Sequence, residues 1–358
     1  MEKNFTKDGL ILLNKSKGIS SFKAINHLKN VIKAKKVGHA GTLDPMAEGL
    51  MIVMINEATK FSDDLMKKNK EYYVEMELGY KTDTYDSEGT VIEEYDSEIN
   101  INDSKIVKVI NSFKGKIKQV PPMYSAIKVE GRKLYDFARK GIEVEREERN
   151  VEISEIREIK IIRSDKNSKK IRNIKISFYT KVSSGTYIRS LVHDIGEKLG
   201  VFATMTRLVR TKIGKFGIED AITVEDTEAK IGKLKELVEE KRENESFWAT
   251  KSDAVIRAEK IREIVCFVEI EYVLDYFGIN VSNEKYGKLK NGMTVIDTFK
   301  KFENISKEIN SKENIKENQK FKIYVRNRDT NEREFRGIVK IVSIRGNKIY
   351  LKRDKYFL

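Results

Sequence analysis

Residues 38–49 read GHAGTLDPMAEG and pin a carboxylate, Asp44, between Leu43 and Pro45. Gly38 and Gly41 let a backbone or a ligand approach closely, Thr42 adds a small hydroxyl beside the acid, and Pro45 fixes the chain directly after it. A rigid loop that displays one carboxylate in this way suits nucleophilic or general-base chemistry. By residue type alone, an aspartate before proline is most often a turn residue, so its surroundings have to decide. The loop lacks the Gly-Lys-Ser/Thr ending of a phosphate loop and the G-x-G-x-x-G dinucleotide pattern, which disfavours a nucleotide cofactor. His27, His39, His193 and the lone Cys266 are poor material for a transition-metal site, and one cysteine excludes an internal disulfide. No cofactor and no metal are therefore expected.

The elements that must carry this loop are legible on both sides of it. GLILLNK, from Gly9, predicts a short apolar strand. After the SKGIS turn, Phe22, Ile25, Leu28 and Ile32 recur at helical spacing with Ser20 or Ser21 as N-cap. LMIVMI predicts a buried strand behind the aspartate loop. KEYYVEMELG alternates, which puts Tyr72, Val74, Met76 and Leu78 on one face of a strand. Pattern alone makes Tyr72 a core residue, and it makes Asp86 of DTYDSEG a turn or cap residue. NIKISFYTKV predicts a further strand running into Ser183-Ser184-Gly185, and Ile188, Leu191, Ile195 and Leu199 mark a helix that stops at Gly200.

With 358 residues the chain suggests two domains. Lys+Arg exceed Asp+Glu by 70 to 56, and the surplus of +14 points to a polyanionic partner, nucleic acid or an anionic membrane surface. No apolar run approaches the roughly 18 residues of a membrane span, and the polar start MEKNFTKDG has no signal-peptide core, so a cytoplasmic protein is expected. Val224 to about Glu263 reads as a charged helical connection. Beyond it, FKIYVRN, FRGIVKIVSI and KIYLKR are short β-type runs, with a tight hairpin expected at Arg345-Gly346-Asn347-Lys348.

Taken together, these residues resemble the TruB-type tRNA pseudouridine-55 synthases. GHAGTLDPMAEG is similar to that family's signature loop. NKSKGISS resembles its N-terminal lysine-glycine motif, and KEYYVEMELGYKTDTYDSEG its tyrosine strand with the D-T-x-D-x-x-G segment. PPMYSAIKVEGRKLYDFARKGIEVEREER is similar to the family's long central motif, SSGTYIRSLVHDIGEKLG to its arginine motif, and TRLVRTKIGKF to the segment that follows. The blocks run in the family's order from Gly9 to Phe216.

The resemblance implies an α+β fold: a pseudouridine-synthase core on a central mixed or antiparallel sheet at 1–262, including the helical connection. A small β-rich, PUA-like RNA-binding domain follows at 263–358, with a polar insertion near 300–320. It implies isomerisation of the T-loop uridine of tRNA after base flipping, with Asp44 as the catalytic aspartate, Tyr72 against the base and Arg189 paired with the carboxylate. His39, Lys15 and Leu208 are the implied substrate-binding residues, although Asn14 and Ser16 replace the aspartate and proline that usually flank the family's lysine. The implied partner is the tRNA T-arm stem-loop, bound by a monomer without membrane, obligate protein partner or cofactor. The alternatives are a non-catalytic RNA-binding protein on the same scaffold and a related synthase acting on another RNA.

Overall fold

GLILL and LMIVMI carry apolar residues at successive positions because both faces of their strands are covered. In a computed structural model of the chain, residues 5, 7–95, 101–129, 131–163, 174–233, 262, 263, 265–298, 302 and 315–357 are described. In the Gly9–Lys15 strand, Ile11 and Leu13 face one apolar cluster while Leu10 and Leu12 face another. Its neighbour Glu48–Ile55 divides likewise, with Met51, Val53 and Ile55 on one side and Leu50, Ile52 and Met54 on the other.

Among the described residues these strands belong to a ten-stranded sheet. Its main path runs Phe267–Glu269, Gly9–Lys15, Glu48–Ile55, Ala203–Ile213, Lys70–Leu78, Ile174–Val182, Arg149–Arg163 and Gly115–Gln119. Val37–His39 and Phe216–Gly217 attach as side branches. All pairings are antiparallel except the contact of Val209 and Arg210 with Glu48 and Gly49, so the sheet is mixed. That parallel contact brings the aspartate loop beside the Ala203–Ile213 strand. The Lys70–Leu78 strand alternates as expected, with Tyr72, Val74, Met76 and Leu78 on its buried face.

The Ser21–Ile32 and Ile188–Leu199 helices cover one face of the sheet. Ser20 is the N-cap of the first and accepts from Lys23 N; Gly200, at φ 78°, closes the second. The first helix departs from expectation at Phe22, which is 70% exposed. Its buried stripe runs Ser21, Ala24, Ile25, Leu28 and Ile32, and Phe22 falls one residue off that stripe, about 100° round the helix.

Among the described residues a second sheet of five strands, in the order Phe277–Asn280, Lys320–Arg326, Arg333–Arg345, Lys348–Phe357 and Val295–Thr298, forms the β-rich C-terminal part. The expected hairpin is present, with Arg345 opposite Lys348 and Gly346 at φ 55°. Ile338 of this sheet joins Ile270, Val273 and Leu274 against Leu10, Leu12, Ile52 and Met54 on the other face of the large sheet. The Phe267–Glu269 strand, just beyond residue 263, pairs with Gly9–Ile11 as an edge of the large sheet. Residues 224–233 of the expected helical connection are helical, and most of the remainder, like most of the polar insertion near 300–320, lies outside the described residues. No helix among the described residues is long and apolar enough to cross a membrane.

Candidate active site

The loop that carries Asp44 is fastened at each of its neighbours. Ser21 Oγ donates to Leu43 O at 2.7 Å and accepts from Leu43 N at 2.8 Å, which fixes the residue before the aspartate. Pro45 O, on the other side, accepts from Gly18 N at 2.9 Å and from Lys15 Nζ at 3.3 Å. The Lys15 ammonium also reaches Ser16 O and Ile19 O. Burial lowers Lys15 to a pKa of about 8, with the nearby Asp44 charge opposing the shift.

Behind the loop lies Arg210, whose side chain is fully buried. Its Nε donates to Leu50 O at 2.7 Å, Nη1 to Thr42 O at 3.3 Å and Nη2 to Gly41 O at 3.2 Å. A guanidinium buried among carbonyls spends its donors on the backbone, and here they tie the start of the loop to the following strand. Gly49 lets the two backbones meet, since a Cβ there would stand 2.5 Å from Arg210 O, at a φ of 108°.

Arg189, in the first turn of the Ile188–Leu199 helix, is 4% exposed and faces two carboxylates. Nε lies 2.9 Å from Asp44 Oδ2, and Nη1 lies 3.5 Å from Asp86 Oδ2. The Nε–H makes no aligned hydrogen bond, so the contact with Asp44 is an ion pair held by distance and charge. Nη1 donates to Thr84 O at 3.0 Å and Nη2 to Tyr124 O at 2.8 Å, which fixes the plane of the guanidinium. Asp86 in turn accepts from Thr84 Oγ1 at 2.7 Å and Glu88 N at 3.0 Å. Burial raises the Asp86 pKa, while Thr84 and Arg189 hold it down.

A cavity of about 710 Å³ opens in front of this pair, and Asp44, Tyr72, Arg189 and Leu208 all line it. Tyr72 and Leu208 come from adjacent strands in which Leu208 pairs with Val74 and Arg210 with Tyr72. Four of the six expected site residues thus share one cavity. Lys15 supports the loop from beneath without lining the cavity. His39 ends the Val37–His39 strand opposite Val53, also outside the lining, where burial lowers its pKa and its Nδ1 makes no hydrogen bond.

Sequence reading offered Ser21 only as an alternative N-cap, overlooked Lys70 and Arg210, and read Asp86 as a turn or cap residue. Lys70 lines the cavity two residues before Tyr72 on the same strand face, donates to Met66 O, and is lowered by burial to about 8. The available signals were a lysine in phase with the buried residues of an alternating strand and an arginine one strand period after Leu208 in LVRTKI.

Residues 29–188 match the model described as TruB family pseudouridylate synthase (N terminal domain), and residues 189–265 match that of the tRNA pseudouridylate synthase B C-terminal domain. The tRNA pseudouridine synthase B of Fusobacterium nucleatum is 48% identical over 212 residues, which cover 59% of this chain and 70% of that protein. The Clostridium perfringens (strain 13 / Type A) protein of the same name is 43% identical over 291 residues, or 81% of this chain and 85% of the relative. Among solved structures, a chain from a Cbf5-Nop10-Gar1 complex superposes with a TM-score of 0.58 at 22% identity, covering 98% of this chain and 85% of that one, a likeness of fold. With Asp44 and Arg189 paired in a cavity and relatives this similar over most of their length, the chain belongs to the TruB family of pseudouridylate synthases.

Proposed function

We propose that this chain is a tRNA pseudouridine-55 synthase in which Asp44 is the reacting carboxylate. The observation that carries the reading is the Asp44–Arg189 ion pair on the wall of a cavity that Tyr72 also lines. Its volume of about 710 Å³ falls within the roughly 300–1,000 Å³ of small-molecule sites. The T-loop uridine has to leave its stack to enter, at a cost of a few kcal/mol. Stacking on the Tyr72 ring, worth about 1–3 kcal/mol per base, offsets much of that.

The isomerisation breaks the bond from uracil N1 to ribose C1′, turns the base, and joins C1′ to C5. C5 gives up its hydrogen and N1 gains one, so no redox equivalent or group donor is consumed. Attack on C1′, addition to C6 and removal of the C2′ proton all call on an ionised, oriented carboxylate. Arg189 orients it, with Nε 2.9 Å from Asp44 Oδ2 and the guanidinium held in place by its bonds to Thr84 O and Tyr124 O. Lys15, Ser21 and Arg210 keep the loop from moving when the base enters. His39, outside the cavity lining, acts on the RNA loop around the target. The chain works as a monomer without a partner protein, its surplus of +14 attracting the phosphates of the folded tRNA.

The test is incubation of the purified protein with a tRNA transcript labelled with tritium at uracil C5. Release of one label per tRNA, located at the T-loop position, is the expected result. Tight tRNA binding without release would leave a non-catalytic RNA-binding protein.

A further inference from the structure

The Ile188–Leu199 helix presents Arg189 and His193 four residues apart, so they share one helix face. Both meet the same turn. Arg189 holds Thr84 O and approaches Asp86, while the residue between those two, Tyr85, lies flat on His193. The ring centroids are 4.1 Å apart and the planes differ by 3°. Tyr85 has φ 63°, a left-handed conformation that a tyrosine keeps only when its surroundings hold it. Its backbone is held through Tyr85 N to Thr82 O and Met205 N to Tyr85 O, and its ring by His193. The His193 side chain is itself 16% exposed, with Glu197 Oε1 3.9 Å from Nδ1, so little room exists for the imidazole to swing away.

We propose that Tyr85 and His193 are a positioning pair, whose stack keeps the Thr84–Asp86 turn seated on Arg189 and so fixes the guanidinium that orients Asp44. Tyr85 and His193 do not line the cavity, so they act on the reaction through Arg189 and not by touching the base. The turn offers Arg189 one carbonyl and one carboxylate, and both hang from the backbone on either side of a strained tyrosine. Without the stack, that residue relaxes toward negative φ and carries Thr84 O and Asp86 with it. The stack uses ring faces alone, so the phenol hydroxyl and the imidazole nitrogens are dispensable for it. This inference rests on the reaction proposed above.

The experiment measures single-turnover tritium release and tRNA affinity for wild type, Tyr85→Ala, His193→Ala, the double alanine variant, Tyr85→Phe and His193→Phe. Each protein is assayed below its own melting temperature. Because small displacements of positioning groups cost large factors in rate, each alanine change should slow bound-state release by about tenfold or more while tRNA affinity stays within about twofold. The double variant should be no slower than the worse single one, since the two rings form one contact. Both phenylalanine variants should release label at close to the wild-type rate. Unchanged release in the alanine variants overturns the proposal, as does a loss that phenylalanine fails to rescue or that additive effects in the double variant account for. Wild-type protein that releases no label would sink the synthase reading instead, which separates the two failures.

Discussion

Arg189 stands between Asp44 and Asp86, 2.9 Å from one carboxylate oxygen and 3.5 Å from the other. The outer carboxylate faces the cavity with a side chain 39% exposed, and the inner one is buried. One guanidinium therefore joins a solvent-accessible acid to a structural one, and substitutions at the three positions should have different effects.

Asp44→Asn keeps the size and removes the charge. Label release should fall by at least about 10²-fold, the usual scale for a group that moves protons or attacks, while tRNA affinity remains near wild type. Single-turnover release with a parallel filter-binding assay measures both, and release at a normal rate would take Asp44 out of the mechanism.

Arg189→Met should destabilise the fold as well as stop the reaction. It leaves Asp86 buried without its counter-charge, and breaking a buried pair from one side costs about 3–5 kcal/mol. Adding Asp86→Asn should return much of that stability, measured by urea midpoint, with no return of activity. Arg189→Met alone matching wild-type stability would show that Thr84 and Glu88 suffice for Asp86.

Arg210→Lys retains the charge but lacks the planar fork. A lysine cannot serve Leu50 O, Thr42 O and Gly41 O together, and each buried carbonyl left without a donor costs about 1–3 kcal/mol. The melting temperature should drop, and label release should slow because the loop that carries Asp44 loses an anchor. Wild-type values for both would make the backbone bonds of the loop sufficient on their own.

Asp194 gives a pH prediction. Burial, with Glu197 adding to it, raises its carboxyl from 3.8 to about 6. The folded state holds this proton more tightly than the unfolded one, so stability is lost as pH rises from near 4 through 6. Asp194→Asn should therefore stabilise the protein above pH 6, with no gain below pH 4. The full shift corresponds to up to about 3 kcal/mol, and partial exposure reduces that to about 1–2. Denaturation of both proteins from pH 4 to 8 checks it; a pH-independent difference would mean that the carboxyl titrates alike in both states.

Local periodicity carried much of the fold. The alternation through Tyr72, Val74, Met76 and Leu78, the helix ending at Gly200 and the Arg345–Lys348 hairpin all depend on near neighbours and were legible. Phe22 was misread because four apolar residues fit a helical spacing, while the small residues Ser21 and Ala24 mark the true buried stripe. The sheet order was not legible, since the contact of Glu48 with Val209 depends on partners far apart in the chain. Asp44 and Arg189 were legible through their motifs. Arg210 was not, because a fully buried arginine runs against the usual partition of charge and its partners are carbonyls, which leave no mark on composition.

The edge strand Phe267–Glu269 bears on how the molecule is made. Its partner Gly9–Ile11 leaves the ribosome roughly 260 residues ahead of it, about 13–50 s at ordinary elongation rates. Ile222 closes the Leu12–Asn14 end of that edge sooner, through bonds to Leu12 O and Asn14 N. Assembly of this border therefore comes in two instalments, the half nearer the aspartate loop first. A nascent chain stalled between residues 222 and 267 would carry an aspartate loop already backed by its sheet and an open apolar edge at Gly9–Ile11, where a second chain could pair.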